Sequence, residues 1–183
     1  MSPTIIIIIA VIVILLLIWA TYNSLISAKV KVAEAFSHID VQLKRRTDLI
    51  PNLVETVKGY AKHEKELLEH ITEARSALVG AKGVKDKALA NNQIADTLKS
   101  LFAVAENYPD LKANQNFLSL QQELSDTENK IAYARQFYNS VAMDYNTKLA
   151  VFPTMIFANM LHFTPAEFFA ASEAEKKEIK VSF

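Results

Sequence analysis

The side chains able to do chemistry are few in this sequence, and where they cluster their spacing fails. His63-Glu64-Lys65-Glu66-Leu67 opens like the helical zinc motif, in which two histidines flank a glutamate base. Leu67, however, stands where the second histidine is needed. Glu66, His70 and Glu73 fall at i, i+4 and i+7 on one helix face and could touch a single ion. A di-metal bundle needs Glu-x-x-His on two helices and glutamates from two more, and residues 111–152 contain no histidine. Charges at such spacing are ordinarily a solvated face. The serines offer no strand-to-helix elbow that would expose a nucleophile. The lack of Cys removes thiolate nucleophiles, disulfides and cysteine-bound zinc, and fits a reducing compartment. Gly59, Gly80 and Gly83 are the only glycines, too few for a phosphate-cradling loop. His38 and His63 read as exposed helix positions, and His162 belongs to an apolar stretch near a helix end. The expectation is no catalytic residue, no metal and no cofactor.

The elements that would position any site begin with an uncharged apolar run, Ile5 through Ala20. As a helix it spans roughly 24 Å, and Thr4, Thr21 and Tyr22 extend it toward the ~30 Å hydrocarbon thickness. Residues 1–22 therefore read as a transmembrane anchor, with Ile5, Ile9, Ile14, Leu17 and Trp19 facing lipid and Trp19 and Tyr22 at the interface. A cleaved signal peptide would carry a basic start and small residues at a cleavage site; Met1–Thr4 has no Lys or Arg, and Ile18-Trp19-Ala20 is no such site. Lys29, Lys31, Lys44, Arg45 and Arg46 all follow the run, so the positive-inside rule puts residues 23–183 in the cytoplasm, beneath the cell membrane. Lys plus Arg balances Asp plus Glu at 20 each, which gives no ground for a nucleic-acid partner.

Beyond the anchor the fold class expected is all-α, an elongated up-and-down antiparallel bundle of three long helices plus a short C-terminal helix over residues 23–170. Residues 171–183 form a charged tail. Phe117, Leu124, Ile131, Tyr138, Tyr145 and Phe152 recur every seven residues, with Leu120, Thr127, Ala134, Val141 and Lys148 as companions. The first segment repeats the pattern through Phe36, Leu43, Ile50, Val57, Glu64, Ile71 and Leu78, and through Leu25, Val32, Ile39, Arg46, Leu53, Tyr60, Leu67 and Ala74. The register does not slip at Pro51, which predicts one helix from Asn23 to Val79, about 85 Å long and kinked at Pro51. Asp48 and Asn52 are expected to satisfy the backbone groups that the proline frees. Gly80-Ala-Lys-Gly83 closes this segment, Asn107-Tyr-Pro-Asp110 marks a turn with Asp110 as N-cap, and Thr164-Pro165 opens the short final helix. Arg46, Glu64 and Lys148 interrupt the seams and are expected near helix ends or the bundle rim, their long side chains reaching outward; the alternative is a partner-facing or register-fixing polar contact. The apolar segment Val151–Phe163 is too short to span a bilayer. It either folds back over the bundle or offers a membrane-contacting or self-association surface.

These residues resemble the LemA family. The similarity rests on Tyr22-Asn23-x-Leu25, Gln42-Leu43-Lys44-Arg45-Arg46, Asp48-Leu49-Ile50-Pro51-Asn52-Leu53-Val54, Val57-Lys58-Gly59-Tyr60 and Tyr108-Pro109-x-Leu111-Lys112-Ala113. It continues through Leu120-Gln121-x-Glu123-Leu124, Thr127-Glu128-Asn129-x-Ile131, Tyr138-Asn139, Tyr145-Asn146 and Phe152-Pro153. Leu161-His162-Phe163 departs from it, since members often carry a Gly-Phe pair there. The resemblance implies a bacterial single-pass membrane protein, a helical bundle with no established enzymatic activity, and roles in membrane remodelling, envelope function or partnership with membrane proteases. The residues themselves suggest a non-enzymatic scaffold or adaptor that forms a homo-oligomer, with lipid as a partner; a further membrane protein such as a membrane protease is a partner that the resemblance implies. Lys44, Arg45, Arg46, Glu128 and Arg135 are the candidate interaction surface, Glu128 and Arg135 lying on flanking positions where interhelical ion pairs select partners. The alternatives are a membrane-remodelling protein whose C-terminal apolar segment touches lipid, and a metal-dependent enzyme built on Glu66, His70 and Glu73.

Overall fold

A computed structural model describes residues 2–61 and 63–170. The expected charged tail, residues 171–183, lies outside the described residues. Their regular structure is helical throughout, as the heptads predict: α1 (Pro3–Lys58), α2 (Lys65–Gly80), α3 (Gly83–Ala105), α4 (Pro109–Lys112), α5 (Gln115–Ala150) and α6 (Thr154–Met160). One helix of 56 residues, about 84 Å at helical rise, carries the apolar run and then the bundle's central seam. No break separates the two.

The seam positions are the core. Leu25, Ile39, Leu43, Ile50, Leu53 and Val57 of α1 meet Phe117, Leu124, Ile131, Tyr138 and Tyr145 of α5, all essentially buried. The contacts of Phe36 with Tyr138 and of Lys148 with Ser24 show that α5 runs antiparallel to α1.

The first long segment is two helices, not one. α1 continues unbroken through Pro51 but ends at Lys58, where Gly59 and the buried Ala61 turn the chain back, and α2 packs on α1 in the opposite direction. The heptad survives the reversal because Val57, Ile71, Ala74 and Leu78 all face one core. A seven-residue repeat marks a face and is silent about direction. With α3 returning alongside α2, four helices enclose the distal half.

Pro51 lacks the N–H that would bond the carbonyl of Thr47, four residues back. That carbonyl, on a buried residue, accepts instead from Arg75 Nε of α2 at 2.8 Å. Asp48 and Asn52 were expected in this role, but the Asp48 carboxylate pairs with Lys44. The freed group thus ties α2 to α1.

Two ends differ from expectation. Asn114, not Asp110, caps the last long helix, its side chain accepting from Phe117 N at 3.0 Å. Thr164-Pro165 opens no helix, because the short final helix falls earlier, at Thr154–Met160. It closes with paired bonds, Phe163 N to Ala158 O at 3.0 Å and His162 N to Asn159 O at 3.2 Å, around His162 at φ 55°. That left-handed conformation suits glycine.

Replacing Arg75 with Met should destabilise the protein by about 1–3 kcal/mol, the cost of stranding a buried carbonyl. The same change in a Pro51→Ala background, where an N–H is restored beneath Thr47 O, should cost less than about 1 kcal/mol. Denaturant unfolding in detergent measures the cycle, and equal costs in both backgrounds would contradict this assignment.

Candidate functional site

The expected interaction residues do not form one surface. Lys44 is exposed and pairs within α1 to Asp48 at 2.8 Å. Arg45 crosses to α5, its Nη2 lying 3.6 Å from Glu123 with both side chains half-exposed. Arg46 is buried, contrary to its expected place at the rim, while Glu64 and Lys148 do lie at helix ends. Its guanidinium donates to Asn91 Oδ1 of α3 at 2.6 Å and pairs with Glu128 of α5, so three helices share one charge. Desolvation lowers its pKa to about 10, which leaves it charged at neutral pH. Arg135 is half-buried on α5, beside Gln136, Asn139 and Phe169. Asn91 went unnoticed in the sequence because its position carries no seam signal.

A second constellation lies along α5 and accounts for the Tyr-Asn pairs. Asn146 Oδ1 accepts from Ala166 N at 2.8 Å and its Nδ2 donates to Ala166 O at 2.9 Å. Asn139 repeats this with Phe169, at 2.8 and 3.1 Å. Tyr145 Oη donates to Thr164 O at 3.1 Å, and Tyr138 Oη to Glu167 O at 2.7 Å. Seven helical residues rise about 10.5 Å, and three extended residues cover about 10 Å. Two Tyr-Asn pairs a heptad apart therefore meet an extended chain every third residue. Phe163, Ala166 and Phe169 are correspondingly its inward side chains. The amide and phenol groups take the backbone partners that a helix would need, which is why none forms after Thr164. Burial raises the pKa of both phenols, with the Glu167 charge adding to it at Tyr138, so each remains a donor.

The candidate metal residues stay apart from these features. His70 lies 3.8 Å from both Glu66 and Glu73, and all three are well exposed on α2. Among the described residues, no group of His and acidic side chains is arranged to hold an ion. At the distal end Tyr108 Oη donates to Glu64 Oε1 at 2.8 Å, which raises the phenol pKa and ties the α3–α4 loop to the start of α2.

Comparison with known proteins places the chain among membrane-associated relatives. The LemA family profile matches residues 35–183. Protein LemA of Metamycoplasma hominis is 30% identical over 161 residues, covering 87% of this chain and 74% of that protein. Magnetosome protein MamQ 2 of Paramagnetospirillum magneticum is 25% identical over 179 residues, covering 84% of this chain and 66% of its own length. Magnetosome protein MamQ of Magnetospirillum gryphiswaldense is 24% identical over 174 residues, at 81% and 64% coverage. The chain thus spans just under two thirds of the magnetosome proteins it matches.

Two outcomes are expected. Glu128→Gln, which strands the buried Arg46 charge, should cost about 2–4 kcal/mol, while Glu123→Gln, at the exposed Arg45 pair, should cost under about 1 kcal/mol. Converting Asn139 and Asn146 together to Leu should free the segment after His162, read as protease cleavage between residues 161 and 170 while α5 stays protected. Cleavage unchanged from the parent would contradict the clamp.

Proposed function

The chain belongs to the LemA family, and from that premise we propose that it is a membrane-anchored, non-enzymatic helical scaffold that acts as a homo-oligomer. The observation that carries this reading is the continuity of α1, whose apolar run emerges directly as the bundle's seam. A bundle fixed to its anchor by one helix has a set height and orientation at the membrane. That suits a protein whose task is to hold surfaces in place. The basic residues following the run favour a cytoplasmic bundle at the cell membrane. The scattered, solvated His and acidic side chains support a role without chemistry of its own.

Self-association would use the flank where Tyr133 and Phe137, one turn apart on α5, are 75% and 54% exposed. The Phe137 ring meets His38 of α1 edge-on at 6.4 Å, with the exposed Val41 nearby. Arg45, which reaches across to Glu123 of α5, borders this region and would supply a charged contact. Another membrane protein, such as a membrane protease, is the further partner in this reading.

The test is crosslinking of the gently solubilised full chain, followed by mass spectrometry. Self-crosslinks through the α1–α5 flank are expected, and they should fall several-fold in a Tyr133→Ser, Phe137→Ser variant that melts like the parent. Arg45→Glu should alter assembly in the same way. A monomer at every concentration, with a stoichiometric second protein attached, would replace the homo-oligomer with a one-to-one adaptor.

A further inference from the structure

We infer that α6 and its flanking turns form a lipid-facing foot, seated in the interfacial layer of the leaflet where the apolar run of α1 ends. The inference rests on reading that run as a membrane span.

Register places the foot. Lys148 Nζ lies 3.3 Å from Ser24 Oγ, so α5 reaches the base of the bundle just short of the apolar run. The chain then continues toward the membrane through Val151, Phe152 and Pro153 before α6 turns along α1. Ala158 is buried with Leu25, Ala28, Tyr145 and Leu149, and the Phe163 ring meets Tyr22 at 6.3 Å. Residues 2–17 are exposed throughout, but Ile18 and Thr21 are partly covered.

The opposite face of the foot is large, apolar and uncovered. Phe152 is 77% exposed, Met160 58%, Ile156 53%, Val151 47% and Met155 42%. Phe152 continues the α5 heptad, yet the core leaves it out and uses Leu149 instead. From Val151 through Phe163 there is no Asp, Glu, Lys or Arg. Lys29, whose ammonium lies 6.0 Å from the Phe163 ring, and Lys148 stand at the level of lipid headgroups. A short apolar face bordered by lysines is the composition of a segment that lies in the interface without spanning.

Lipid is the occupant because the patch is continuous with the span. A contiguous apolar surface of this extent is otherwise rare on a protein facing water. The foot enters one leaflet only. This gives the membrane-remodelling alternative a physical basis, with Phe152, Met155, Ile156 and Met160 as the lipid-facing residues.

The chain has no native cysteine, so single-cysteine full-length variants can be labelled cleanly. Ile156→Cys, Leu17→Cys and Val79→Cys would each carry an environment-sensitive fluorophore in phosphatidylcholine vesicles doped with nitroxide lipid. Leu17 reports the span, and Val79, 65% exposed at the C-terminal end of α2 and level with Leu43 and Thr47 of α1, well beyond the apolar run, reports water. The expected result is a blue shift and quenching at 156 at least half as strong as at 17, with none at 79. A probe at 156 that behaves like the one at 79 overturns the foot and leaves the span intact. Disulfide-linked dimers of the unlabelled Ile156→Cys variant, without lipid quenching of the labelled one, overturn it in favour of a second copy. An unquenched probe at 17 overturns the span itself.

Discussion

A single helix has to satisfy two solvents in this protein. In hydrocarbon every backbone polar group must be met within the chain, and α1 does this along its apolar run by helical hydrogen bonding, with Asn23 Nδ2 adding a bond to Trp19 O at 2.9 Å where the run ends. Beyond Tyr22 the same helix narrows its apolar surface to a heptad seam and recruits α5, then α2. The pairing of α5 with α1, the depth of the foot and the height of the distal bundle all depend on that helix staying whole. The place where it is weakest, the missing N–H of Pro51, is also where α2 is secured, since Thr47 O accepts from Arg75.

Among the described residues the interior carries one buried charge, and its arrangement is specific. Arg46 binds Asn91 and Glu128 from two other helices, so a sliding of either helix by one turn would strand a desolvated cation. Interior apolar side chains tolerate such slips far better. The clamp on α5 works by a similar logic outside the core. Asn139 and Asn146 read backbone atoms only, and the match between helical and extended rise sets where the returning chain must lie.

Much of this was legible in the sequence because it depends on faces. The seam residues from Leu25 to Val57 and from Phe117 to Tyr145 could be read from spacing, as could the apolar run. The family match spans residues 35–183, which include Pro51 and the Tyr-Asn pairs. Direction was not legible, and the reversal after Lys58 keeps the heptad phase and leaves no trace in it. Arg46 looked like a rim residue because its partners, Asn91 and Glu128, lie far along the chain on two other helices. The helix expected at Thr164 lost to side chains 20 to 30 residues upstream, a competition that local capping rules do not register. Phe152 fitted the heptad in sequence. Only the end of α5 at Ala150 turned it outward.

The central claim is that anchor and bundle share one continuous helix, and one distance measures it. Spin labels at Ile14→Cys and Val41→Cys in the full chain, reconstituted in nanodiscs, are separated by 27 residues of α1. A pulsed dipolar measurement should return a narrow distribution centred near about 40 Å, the rise of an unbroken helix. A broad distribution or a clearly shorter mean would show a hinge at the membrane surface and contradict the account.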